Sequence, residues 1–315
     1  MPEAVANVDF VHTGPGTLAG RYLRRFWQPV AMAEHLPAGR TKPIRILGDD
    51  LTLYRGESGS AHLLAFRCAH RGTQLSTGWV EGDDLRCFYH GWKYDSSGQC
   101  IEQPAEPEPF CQKVRIQSYP TYEYLRVIFA YLGEGEPPPV PRFQLFEEEG
   151  DLRARNYIQP CNFFNQMENT TDPGHTKFVH RWPHYAEYGL TGIPSITAEE
   201  REWGLSTHIT WPDWPPEEID THHVLMPNGM MNRIAHGDLL SWRVPIDDVS
   251  HLSFSLALAR RNDQLPRVPR GGASSHGSGQ PPFSVRDWGD RVLVGEAQVG
   301  PLIQEFELNT TDAFN

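Results

Sequence analysis

Two cysteine–histidine pairs stand close together in the chain: Cys68-x-His70 and, after sixteen residues, Cys87-x-x-His90. Two thiolates and two imidazoles can bind a tetrahedral zinc ion or a cluster of two irons, and ligand count alone does not separate these. A disulfide between the cysteines is the third reading, and composition argues against it. Five cysteines in 315 residues do not make a disulfide scaffold, and in a reducing compartment such pairs more often bind metal. Cys100, Cys111 and Cys161 read as packed thiols.

The division of ligands between the loops favours iron. Zinc clips tend to put two cysteines or two histidines on one loop, whereas one of each per loop lets one iron take both thiolates and the other both imidazoles. Arg71-Gly72 follow the first pair, and Tyr89 and Gly91-Trp92 flank His90, which gives tight backbone and aromatic cover. "CAHRG" with "CFYHGWKYD" resembles the Rieske motif of the Rieske non-haem iron oxygenases. The resemblance implies a Rieske 2Fe–2S cluster on Cys68, His70, Cys87 and His90. Imidazole ligation places its potential between about −150 and +300 mV, against about −400 mV for a plant ferredoxin. Such a cluster carries electrons but does no chemistry on a substrate.

A second set of residues could receive them. In "QMENTTDPGHTKFVH", His175 and His180 lie five apart across a broken helix. An isolated pair of this kind is more often structural, but Glu168, Asn169 and Asp172 crowd the same segment, as around a metal with supporting hydrogen bonds. Two histidines and one carboxylate on one face of Fe(II) leave positions for dioxygen and substrate. The segment resembles the family's Asn-x-x-Asp-x-x-His-x(4)-His motif at Asn169, Asp172, His175 and His180. By that resemblance His175 and His180 ligate a mononuclear Fe(II), and Asn169 and Asp172 are catalytic. Asp172 is then a bridge between a metal histidine and a Rieske histidine. This implies an oligomer, because in the family the cluster of one subunit feeds the iron of its neighbour. The family's third ligand is an Asp from a late helix, for which Asp287, Asp290 and Asp312 are candidates. Asp290 also reads as a helix N-cap; "LNTTD" resembles the family's approach to that ligand, so Asp312 is expected.

These residues need two kinds of scaffold. Residues 44–132 hold short β-like runs ("IRILG", "LTLYRG", "HLLAFR", "VIFAYLG") broken by Gly, Asp and Ser, a pattern of antiparallel strands. "GEGEPPPVP" at 133–141 suits neither a helix nor a central strand and reads as a linker. The expected domains are therefore 1–140, an all-β Rieske domain with an N-terminal extension, and 141–315, the mononuclear iron catalytic domain. The latter combines a helix that breaks at Pro173-Gly174 with the strand-like segments "LSTHITW", "THHVLM", "LSWRVPI" and "LSFSLALA". The fold class is α+β, and the resemblance implies a helix-grip-like catalytic domain. Residues 267–283 read as a polar surface loop.

Composition narrows the partners. Charge is 28 − 40 = −12 with no basic block, which argues against nucleic acid and anionic membranes. No run approaches the roughly 18 apolar residues of a membrane span and the N-terminus lacks a signal-peptide pattern, so the expected location is cytoplasmic. No GxGxxG pattern occurs, so nicotinamide and flavin are expected on a partner. Trp182, Trp211 and Trp214, with His208, His222, Met226 and Met230, fall where they could line an apolar pocket, and Arg233 or Arg243 could hold a carboxylate.

The resemblance to phthalate dioxygenase-type and vanillate O-demethylase-like chains implies a terminal oxygenase component. It would hydroxylate or oxidatively demethylate an aromatic, carboxylated or uncharged, substrate with O2, and work as a homotrimer. Electrons would come from a flavin/2Fe–2S reductase, or from a reductase plus ferredoxin. The alternative is a Rieske-type electron-transfer protein without oxygenase chemistry.

Overall fold

Among residues 8–179, 192–215, 217–234 and 237–259, which the computed structural model describes, strands numbered in chain order form four sheets. The first pairs β1 (Trp27–Met32) with β11 (Val127–Tyr131), and β11 with β10 (Thr121–Tyr124). Every residue of β1 and β11 is buried, as their continuous apolar sequences suggest. A second sheet has the order β2 (Thr41–Ile46), β3 (Asp49–Arg55), β4 (Ala61–Ala65), β9 (Ser118–Tyr119). The third is a meander of β5 (Trp79–Glu81), β6 (Asp84–Arg86), β7 (Lys93–Tyr94) and β8 (Cys100–Glu102). Its turns lie beside the candidate ligands.

One apolar core joins the second and third sheets: Tyr54, Leu64, Leu75, Leu85, Trp92, Tyr94 and Ile116, with Cys68, Cys87 and Cys100. Each fully buried leucine there contributes about 1.5–3 kcal/mol. The two candidate thiols are thus part of the core, while their loops lie at its edge. Cys100 is buried and Cys111 and Cys161 are partly buried, all as free thiols, as their apolar settings suggested.

The fourth sheet contains β12 (Asp151–Gln159), β18 (His251–Ala259), β17 (Gly237–Pro245), β16 (Gly229–Ile234), β15 (Asp220–Leu225), β14 (Gly204–Thr210) and β13 (Ser195–Arg201), bonded in that order. The chain divides into two compact units. One runs to Phe164 and includes Ser241–Leu256; the other comprises Asn165–Leu240 and residues from Ala257. The proline-rich 133–141 segment lies in the first unit and forms no helix or strand.

The α-helices among the described residues are α1 (Leu18–Leu23), α2 (Phe163–Asn169) and α3 (Thr176–Val179). Asn162 caps α2, its side-chain oxygen accepting from the Phe164 N–H at 2.9 Å. Phe163, Gln166 and Met167 are buried, at the i, i+3, i+4 spacing of one helix face. The helix stops as the sequence suggested: Thr170 and Thr171 turn their hydroxyls back onto the Gln166 and Glu168 carbonyls, and a 3-10 turn at Pro173–His175 leads into α3. No helix among the described residues is long and apolar enough to cross a membrane.

Candidate metal centre

The two cysteine loops are built alike. The Cys68 N–H donates to the Thr73 carbonyl at 2.8 Å, and the Cys68 carbonyl accepts from the Gly72 N–H at 3.0 Å. The Cys87 N–H donates to Trp92 at 2.8 Å, and its carbonyl accepts from Gly91 at 3.1 Å. Both loops therefore close as Cys-x-x-x-Gly, and Gly72 and Gly91 have φ of +68° and +74°, a region that side chains with a Cβ enter only at a cost. At Gly91 the approach is also close: a Cβ would lie 2.9 Å from the Pro104 side chain.

These loops bury the two thiols in one core and bring the two imidazoles side by side. Cys68 and Cys87 are 3% and 2% exposed, and both belong to the same buried cluster. The rings of His70 and His90 have centroids 4.6 Å apart. His70 stacks on Trp92, and His90 packs on Tyr89. The Nδ1 atom of His70 is buried with no hydrogen-bond partner among the described residues. A buried nitrogen without a partner, in a loop that also buries a thiol, is an atom that a bound metal could satisfy.

Tyr94 completes the pocket. Its hydroxyl oxygen accepts from the Ala69 N–H at 3.1 Å, so its proton is free to go to Cys68 Sγ at 3.2 Å. Burial pushes the Cys68 thiol up from its ordinary value, and the Tyr94 hydroxyl and the His70 backbone N–H pull the other way. A bound cation would reverse the first effect. Burial, together with the Cys68 sulfur, also pushes the Tyr94 phenol up, which keeps it a donor. Sequence reasoning did not single out Tyr94, whose one signal is its place two residues beyond Trp92.

Residues 26–121 match the family model of the Rieske [2Fe-2S] domain. The chain is 33% identical over 278 residues to the 5,5'-dehydrodivanillate O-demethylase oxygenase subunit of Sphingobium sp. (strain NBRC 103272 / SYK-6), covering 82% of this chain and 64% of that protein. It is also 33% identical to the phenoxybenzoate dioxygenase subunit alpha of Ectopseudomonas oleovorans, over 78% of this chain and 66% of the relative. The chain carries a Rieske [2Fe-2S] domain and is homologous to Rieske oxygenase alpha subunits. It spans just under two thirds of the length of these two relatives. The fold agrees: dicamba monooxygenase bound to dicamba superposes with a TM-score of 0.66 at 21% identity, over 76% of this chain and 78% of that one. Homology to these subunits implies a mononuclear iron in addition to the Rieske cluster.

Beyond the Rieske domain, the second motif occupies the end of α2 and the turn after it. Asn169 and Asp172 are exposed, and the Asp172 N–H donates to the Asn169 carbonyl. One Asp172 carboxylate oxygen accepts from the Gly174 N–H at 3.0 Å. The Asp172 backbone carbonyl accepts from Nδ1 of His175, a bond that puts the proton on Nδ1 and the lone pair on Nε2. His180, Asp287, Asp290, Asp312 and Trp182 lie outside the described residues.

Behind this turn, His222 of β15 places Nδ1 3.3 Å from the Thr170 carbonyl and Nε2 3.3 Å from an Asp220 carboxylate oxygen. Burial alone would lower its pKa, but the hydrogen bond and charge of Asp220, with the Thr170 carbonyl, outweigh this and raise it. The pocket expectation needs correction here. Thr207 pairs with His222 and His208 with Thr221, so His222 and His208 point to opposite faces of the sheet and cannot line one cavity. Trp211 is buried and Met226 exposed. Arg243 lies in the first unit, donating to the Trp242 carbonyl at 3.3 Å.

Proposed function

We propose that Cys68 and Cys87 hold one iron of the Rieske cluster and His70 and His90 the other, and that residues to 140 and from 141 serve as cluster and catalytic domains. The observation that carries this is the pair of matching Cys-x-x-x-Gly loops, which bury two thiols beside two facing imidazoles. The chain is then the terminal oxygenase component of a multi-protein system that hydroxylates or demethylates an aromatic substrate with O2. His175, His180 and Asp312 bind the mononuclear Fe(II), which when bound supplies dioxygen activation.

The chain's own residues do the rest. His175, held by the Asp172 carbonyl, presents Nε2 to the metal. The Asp172 carboxylate is exposed, and from there it reaches a Rieske histidine of a neighbouring subunit in a homotrimer. Electrons come from a flavin/2Fe–2S reductase, directly or through a ferredoxin. Five unpaired cysteines suit a reducing compartment, the cytoplasm.

The test is metal stoichiometry with visible and EPR spectra on anaerobically purified protein. Three irons per chain, falling to two in His175→Ala with the Rieske signal intact, is the expected result. Two irons in both proteins after Fe(II) reconstitution would instead make this chain an electron carrier.

A further inference from the structure

Arg86 immediately precedes Cys87, and its side chain turns back across the loop that Cys87 begins. Nη1 donates to the Gly91 carbonyl at 2.9 Å, one residue beyond His90. The other edge of the guanidinium is fixed. Nε and Nη2 donate to both carboxylate oxygens of Glu81 at 2.7 and 2.8 Å, and Nη2 also donates to Glu102 at 2.7 Å. The Arg86 side chain is only 19% exposed, while its carboxylate partners keep one side to water at 42% and 48%.

A bidentate guanidinium–carboxylate pair has a set geometry that an ammonium cannot reproduce. Glu81 on β5 and Glu102 on β8 therefore set where the guanidinium stands, and the guanidinium sets where the Gly91 carbonyl stands. The loop bearing Cys87 and His90 is closed at its base by this bridge as well as by its own backbone bonds. Lys93 joins the group, 3.1 Å from Asp84, 3.6 Å from Glu81 and 3.7 Å from Glu102. Two cations thus face three carboxylates on the sheet that carries the loop.

We propose that Arg86 is a positioning residue for the second cluster loop, and that the Glu81–Arg86–Glu102 group sets the reduction potential of the cluster held there. The proposal rests on the ligand assignment above. Reduction adds one negative charge to the cluster. A fixed cation nearby favours the reduced form and fixed carboxylates oppose it; Glu81 and Glu102 are 42% and 48% exposed, so salt screens their part more than that of Arg86. Removing Arg86 also leaves Glu81 and Glu102 without their main partner, so both effects lower the potential.

The experiment is a redox titration of the as-purified protein, followed by EPR of the reduced cluster, with Arg86→Gln, Arg86→Lys and Glu102→Gln. Arg86→Gln lowers the midpoint and Arg86→Lys, which keeps the charge, restores most of it. Glu102→Gln, at a half-exposed position, shifts the midpoint upward. Opposite signs distinguish this role from general loosening, which would move all variants alike. If Arg86→Gln fails to fold, the Glu102→Gln shift still decides: an unchanged or lowered midpoint overturns the proposal. A wild-type protein without a Rieske signal overturns the ligand assignment and this proposal together, whereas a wild-type signal with unshifted variants overturns this proposal alone.

Discussion

Trp92 lies flat against His70, with ring planes 6° apart and centroids 4.8 Å apart. The indole restricts the imidazole's rotation, and Phe110 packs edge-on against the indole at 5.6 Å. Trp92→Ala removes a buried aromatic from the core and should cost about 3–5 kcal/mol, measured by denaturant unfolding of the cluster-loaded protein. Trp92→Phe keeps an aromatic surface and should lose less than half of that. An equal loss in both would mean that the stacked surface contributes nothing.

Tyr94→Phe should separate a redox effect from a stability effect. Losing the hydroxyl removes a hydrogen bond to the Cys68 sulfur, which lowers the cluster potential, and leaves the Ala69 N–H without its partner, at a cost of about 1–3 kcal/mol. Redox titration and unfolding of the same variant check both.

The two loop glycines should respond unequally to alanine. Both have positive φ, costing a residue with a Cβ about 1–2 kcal/mol. Gly72 has open space where the Cβ would go, whereas Gly91 faces Pro104 at 2.9 Å. Gly91→Ala should therefore lose more stability and more iron per chain than Gly72→Ala, measured side by side.

Two histidines should give opposite pH dependences. His222 has its pKa raised in the folded protein. Its contribution is complete below the ordinary value of about 6.5 and is lost as pH rises through the folded value. The stability difference between wild type and His222→Gln should shrink as pH climbs above 6.5. His251 is fully buried, and burial drives its pKa down to about 4 despite its bond to the Cys161 carbonyl. The folded state therefore resists protonation, and the protein should lose about 3 kcal/mol as pH falls from about 6.5 to 4. His251→Phe should flatten that acid limb in unfolding titrations.

Sequence patterns located much of the fold and were silent where packing decides. β2, β3, β4, β11, β14, β15, β17 and β18 overlap runs rich in apolar and β-branched residues. β13, "SITAEER", is exposed at every position, so no buried face imprints an alternation on it; it is a strand because β14 pairs along its whole length. The hairpin from β10 to β11 turns on Leu125 and Arg126 at φ of +49° and +67°. Neither is the Gly or Asn that marks such turns, and the register of the buried β11 imposes the conformation instead.

The sequence by itself determined the domain type and the two loops of the first site. Cys-x-His-x-Gly and Cys-x-x-His-Gly each carry their proposed ligands and closing glycine within five residues, so local backbone bonds suffice to form the loops. It also determined the Asn169–His175 turn, whose threonines, proline and glycine end one helix and start the next. Tertiary structure decided what supports these loops: Tyr94 against the Cys68 sulfur, Trp92 against His70, Arg86 across to Gly91, and His222 rather than His208 behind Thr170. Most of these pairings depend on strand register and on which sheet face a side chain takes, and one residue of slip would reverse every face.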